Sequence, residues 1–194
     1  MKAQAKLCKQ LFDSQRSSIR LVLNCIEETI HRNVSPNSKR VTLEILISYL
    51  VNTAHHKHHS REEEYLLIDT FQNACTGSQQ ATEILKNQHR SLHAASSWWM
   101  SHTIQVEQWF NEVEPVNSAN GKALLQFIND YRLHLSLEET LIWRRFFHLI
   151  QPLQFAEAAF MLAQINDPIE NCTSSDSIEV VCKAISKATV HLLQ

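Results

Sequence analysis

The amino-acid sequence predicts an all-α protein: an antiparallel up-down-up-down four-helix bundle with two additional C-terminal helices packed on it. Apolar residues recur with a 3.6-residue rhythm over long segments. Glycine occurs only twice in 194 residues, and each glycine and proline falls where that rhythm breaks. Four long segments joined by short connections favour antiparallel neighbours. Scarce glycine also argues against tight hairpins and phosphate-cradling loops, so strand-rich and nucleotide-binding folds lose ground.

Six helices are predicted, over 4–32, 38–74, 79–112, 119–149, 152–166 and 175–193. Pro36, Gly77, Pro115, Gly121, Pro152 and Pro168 mark the breaks between them. The first carries the stripe Cys8, Phe12, Gln15, Ile19, Val22, Ile26, Ile30, greasy except at Gln15. The second reads Leu43, Ile47, Leu50, Ala54, His58, Glu62, Tyr65, Ile68; one residue along, Ser48, Asn52, His56, His59 and Glu63 form a solvated face. The third gives Leu85, His89, Leu92, Ser96, Trp99, Val106 and Phe110, with His93 one turn beyond His89. The fourth gives Leu124, Phe127, Tyr131, His134, Glu138 and Leu141.

In the tail, Leu153, Phe155, Ala158, Phe160 and Met161, then Ile178, Val181, Ala184, Ile185 and Val190, supply apolar faces to lay on the bundle. Asp176 is placed to cap the last helix, with Glu179 reaching back. Residues 1–150 thus form the bundle and 151–194 a helical extension of the same domain.

Composition narrows the function. A net charge of −2 with no basic stripe gives no reason to expect nucleic acid. No apolar run approaches the roughly 20 residues a membrane crossing needs, and the amino terminus lacks an apolar signal region. Five cysteines, odd in number and without CxxC spacing, read as reduced thiols of a cytoplasmic protein, Cys25 in its core.

Histidine, in contrast, occurs eleven times, and one phrase occurs twice: His58-x-x-x-Glu62-Glu63 and His134-x-x-x-Glu138-Glu139. Each copy sets an imidazole and a carboxylate four residues apart, on one helical face. An echo precedes each, Gln15-Arg16-Ser17 and His89-Arg90-Ser91, at separations of 43 and 45 residues. A single such pair arises by chance in a chain this rich in both residues, and a lone inward histidine is usually a bonded core residue. Recurrence of the whole phrase on the apolar stripe carries the argument. Buried ionised carboxylates need a compensating charge worth several kcal/mol each. No lysine or arginine shares their stripe, so a metal ion is expected to supply it. His55 and Tyr131 occupy equivalent positions in the two halves and are expected to support the ligands, while Arg61, Glu63, Glu64 and Glu139 are expected to face solvent.

These residues resemble the hemerythrin-like, or HHE cation-binding, family over about residues 5 to 148. His58-His59-Ser60-Arg61-Glu62-Glu63 is similar to the family's second-helix segment, and His134-Leu135-Ser136-Leu137-Glu138-Glu139 to its closing motif. The resemblance implies a non-haem di-iron centre with His58, His89 and His134 as terminal ligands, Glu62 and Glu138 as bridges, and His93 as the further third-helix ligand. Gln15 departs from the pattern by standing where the family has a histidine, either as a replaced ligand or as a support behind the ligands. One metal position is then expected to be weak. Imidazole and carboxylate without thiolate suit iron or manganese, with zinc admitted.

The leading expectation is a protein that binds or senses dioxygen, nitric oxide or peroxide. A weak oxidase or peroxidase is the second. The third is a lapsed scaffold meeting a protein partner through its C-terminal helices.

Overall fold

The computed structural model describes residues 2–64, 76–102, 109, 116–145, 148, 150 and 152–191. Every regular element among them is helical. The helix α1 spans Lys2–His31. The second, α2, runs over 36–62 as Pro36–Tyr49, a π-helical stretch Leu50–His59 and a last α turn Ser60–Glu62. Then come α3 (Thr76–Ser101) and α4 (Ala119–Glu138), the latter prolonged by π turns over Glu139–Arg145. Two tail helices follow, α5 (Pro152–Ala163) and α6 (Ile178–His191).

Local chemistry explains the ends. Ser35 caps α2 by accepting from the Ser38 N–H at 3.2 Å, and Ser118 caps α4 by accepting from the Gly121 N–H at 3.1 Å. Pro36 therefore opens α2 instead of closing α1, because a first-turn residue needs no amide hydrogen. Gly121 lies within the first turn of α4, not beyond its edge. Lys39 reaches back to the Ile30 carbonyl at 2.9 Å and satisfies an orphan acceptor at the end of α1. Asp176 does not cap α6. Its carboxylate takes up the backbone and hydroxyl of Thr173, closing the turn that precedes the helix.

The four long helices touch in a ring: α1 on α2, α2 on α3, α3 on α4, and α4 on α1. Helix α5 packs along α1, its most extensive partner, and α6 packs on α2 and α1. Buried Phe155, Ala158, Ala159 and Leu162 form the inner face of α5 at helical spacing. Leu153 and Phe160, expected on that face, are instead 68% and 66% exposed, since they lie on the opposite side of the same helix. Tyr49 secures the segment between the tail helices by donating to buried Asp167 at 3.1 Å, whose carboxylate also accepts the Ile169 N–H.

Apolar burial is divided into two clusters. One joins Ile19–Ile30 of α1 with Leu43–Leu50 of α2, Leu92 and Trp99 of α3, Leu124–Leu135 of α4, and α6. The other joins Cys8 and Phe12 with Ala81, Leu85, Ile142, Trp143 and the inner face of α5. Between them, each long helix contributes a polar layer: Gln15 and Arg16, His58 and Glu62, His89, and His134 and Glu138 are all buried. The predicted ends of α2, α3 and α4, with Tyr65, Leu66, Ile68, Cys75, Val106, Phe110 and Pro115, lie outside the described residues. No helix among the described residues is long and apolar enough to cross a membrane.

Arg32, following α1, pairs with Glu179 in the first turn of α6, and its hydrogen bond draws the Glu179 carboxyl down to about 2. A depressed carboxyl contributes stability above its ordinary range and loses it as pH falls through the folded value. The Glu179 side-chain resonance should therefore titrate near pH 2 in the folded chain and move part of the way back toward the ordinary glutamate value in Arg32→Met, where the Ser177 and backbone hydrogen bonds persist, as followed by NMR.

Candidate metal centre

Helix α2 approaches the polar layer through its π turns. The Ser60 N–H donates to the His55 carbonyl, five residues back, and the extra residue per turn narrows the angle between successive side chains. An α-helix would aim His58 inward and His59 about 100° away. Here both are inside, His58 at 2% and His59 at 1% exposure, with Glu62 fully buried one turn on. His59 thus leaves the solvated face on which periodicity had set it. The π geometry resumes at Glu63 and, in the repeat-related position, at Glu139, immediately after the inner glutamate of each phrase.

Two groups of donor atoms result, each gathered within 4.8 Å: His59, His89, His134 and Glu138 in one, His58, Glu62 and Glu138 in the other. Glu138 belongs to both. Its Oε1 lies 2.6 Å from His134 Nε2, 3.4 Å from His89 Nε2 and 3.9 Å from His59 Nε2. His89 Nε2 is also 3.5 Å from Glu62 Oε2. Of the six side chains expected as ligands, His58, Glu62, His89, His134 and Glu138 converge. His93 does not join them. Its ring stacks face to face on His55 at 3.8 Å, off the side of the layer. His55 in turn stands 6.0 Å from the His59 ring, and Tyr131 stands 5.8 Å from that ring on the other side.

The outward nitrogens explain how the rings are aimed. His58 Nδ1 bonds Gln15 Oε1 at 2.6 Å, His89 Nδ1 bonds Glu63 Oε1 at 2.6 Å, and His134 Nδ1 meets Gln88 Oε1 at 3.0 Å. Each partner accepts the Nδ1 proton, which leaves an Nε2 lone pair facing the layer. This arrangement, an oxygen behind each of these three imidazoles, is how metal-binding histidines are usually oriented. Gln15 therefore stands behind His58 as a support, while its Nε2 donates to the Leu162 carbonyl of α5 at 3.1 Å. Glu63, expected in water, is partly buried for the same reason.

Buried atoms left without hydrogen-bond partners test whether a metal fits. They include His58 Nε2, both nitrogens of His59, His134 Nε2, both oxygens of Glu62 and Glu138 Oε2. Such orphans are rare in folded proteins and costly. Their chemistry, lone pairs of imidazole and carboxylate gathered at common points, matches the donors a cation takes. The donor set fits a metal ion at either group.

One protein cation also enters. Arg16 is only 2% exposed; it places Nε 3.4 Å from Glu138 Oε2, gives Nη1 to Glu139 at 2.8 Å and bonds the Leu135 carbonyl. The expectation that no arginine shares the stripe fails because a long side chain on α1 crosses to α4. Its repeat mate Arg90 stays at the surface with Glu83. Glu139 is partly buried by the same contact, whereas Arg61 and Glu64 pair near solvent.

Electrostatics separates the two central carboxylates. Burial, and then the neighbouring Glu138, push Glu62 well above the carboxylate range. Burial also acts to raise Glu138, but His134, His89 and His59 outweigh it and hold it well below that range. His58 is lowered to about 4 by burial, and burial together with His89 and His134 holds His59 well below its ordinary value. His89 alone rises: burial lowers it, but its bonds to Glu138 and Glu63 prevail. In the metal-free layer the two carboxyls are thus driven apart, Glu138 toward its ionised form beside Arg16 and His89 and Glu62 toward its neutral form.

Of the residues outside the predicted set, Gln88 leaves the faintest trace in the sequence, a polar residue next to His89. Arg16 was visible inside the repeated echo.

Metal-free Glu62→Gln should keep nearly wild-type stability in urea titrations at neutral pH, because burial beside Glu138 already disfavours the charge that the amide removes. Arg16→Met should lose about 3–5 kcal/mol in the same assay, since Glu138 is left buried without the guanidinium that faces its Oε2. Compared with protein-family profiles, with curated proteins and with solved structures, the chain finds no match.

Proposed function

We propose that the chain is a hemerythrin-like metal-binding protein that holds iron at the histidine–glutamate layer and uses it to bind or sense dioxygen, nitric oxide or peroxide. This reading takes the ring of four long helices as an up-down-up-down bundle carrying the two tail helices. The observation that carries it is the convergence of unpartnered Nε2 and carboxylate atoms on two groups that share Glu138. Iron itself rests on the family resemblance. The donors also suit manganese and admit zinc.

His58, Glu62 and Glu138 would hold one ion, and His59, His89, His134 and Glu138 the other. When bound, a redox-active pair supplies the electrons that a diatomic ligand or peroxide takes up. The chain's own part is orientation and exclusion of water. Gln15, Glu63 and Gln88 fix the rings, and buried Phe12 stands 5.1 Å from the His58 ring as an apolar wall.

A second reading has its own observation. Arg16 already neutralises Glu138, so the layer has an internal counter-charge and the scaffold can persist without metal. Exposed Leu153 and Phe160 on α5 would then serve contact with a protein partner.

Anaerobic loading with ferrous iron, desalting and metal analysis decide between the two. The first reading expects one or two irons per chain and an altered visible spectrum on exposure to dioxygen or nitric oxide. His58→Ala should lose one group's metal and Glu138→Ala should abolish both. Gln15→Leu should weaken binding by about 10- to 100-fold while the fold survives. Substoichiometric iron, manganese and zinc alike in the wild-type chain leave only the Arg16-neutralised scaffold.

A further inference from the structure

Helices α3 and α4 enclose a groove of about 600 Å³ that opens to the surface and abuts the polar layer. Its walls are mainly apolar, with Trp98, Trp99, Phe127 and Leu133 contributing the largest side chains. Among the described lining residues, and setting aside the imidazole of His134, Asp130 alone carries a formal charge. Volume and lining fall in the range of small-molecule sites.

Two features set this groove apart from ordinary surface. Trp98 is 47% exposed yet held in place, stacked on His102 at 4.2 Å and against the edge of Trp99 at 4.8 Å. A rigid exposed indole is a pre-ordered contact that loses little freedom on binding. Its chemistry pairs with that of Asp130, on the facing helix: aromatic faces and a carboxylate both attract a cation. Asp130 is itself oriented by the Gln126 side-chain amide at 2.7 Å.

We propose that this groove binds a small amphipathic organic cation, its apolar body against Trp98, Trp99 and Phe127 and its ammonium group at Asp130. Occupancy is read by the buried layer through Gln88 and through His134 itself, since both line the groove. Gln88 lines the groove and also supplies the oxygen that fixes His134 Nδ1. A ligand that moves Gln88 turns the His134 ring, and with it the group nearest Glu138.

The site does not depend on metal, so its test uses the metal-free chain, and its failure leaves the metal reading untouched. Phenethylammonium is titrated against tryptophan fluorescence, with phenethyl alcohol as the uncharged comparison. Saturable quenching is expected, about fivefold weaker in Asp130→Asn and about tenfold weaker in Trp98→Ala, with unchanged thermal melting of both surface variants. The His134 ring resonance should shift with the same midpoint in the wild-type chain and shift less in Gln88→Leu, which lacks the oxygen that holds the ring. Unsaturable quenching, or equal affinity for the alcohol and for Asp130→Asn, overturns the cation site. A His134 resonance unmoved at saturation overturns the link to the layer.

Discussion

The buried carboxylate of Glu138 is the point on which the surrounding arrangement depends. An anion with no exposed surface must be answered from within the protein, and four elements send groups to answer it. His134 comes from its own helix, His89 from α3, His59 from α2 and Arg16 from α1. Removing the charge would relax the demand that holds these groups together, and the same carboxylate belongs to both candidate donor groups.

The polar layer also divides the core. Apolar clusters lie on either side of it, and neither spans the molecule alone. The cost of desolvating the layer is offset by two flanking sets of buried residues, each fully buried Val, Leu, Ile or Phe worth roughly 1.5–3 kcal/mol. The division matches the repeat, because each half of the chain brings one histidine–glutamate phrase to the boundary.

Most of this was legible because helical periodicity reports which side chains go inside. His58, Glu62, His134 and Glu138 lie on apolar stripes, and burial follows the stripe. What periodicity misses is anything that departs from 3.6 residues per turn or reaches between helices. His59 enters because π turns alter its phase. Arg16 enters because its guanidinium spans the gap from α1 to α4, a distance no single-helix pattern encodes. Gln88 and Glu63 are recognised only once the rings they hold are in place. Conversely, Leu153 and Phe160 show that apolar identity alone does not establish an inward side when a short helix is covered along one narrow strip.

Gln15 gives the tail a stake in the centre. One end of its amide holds an imidazole, and the other is fastened to the backbone of α5 near that helix's final turn. The last quarter of the chain is thus more than a cover: it is the far anchor of a rigid strut that ends on a ring. Any binding partner, truncation or chemical change that lifts α5 would be transmitted inward as a loosened imidazole, so an event on the outer surface acquires a direct mechanical line to the molecule's most confined charges.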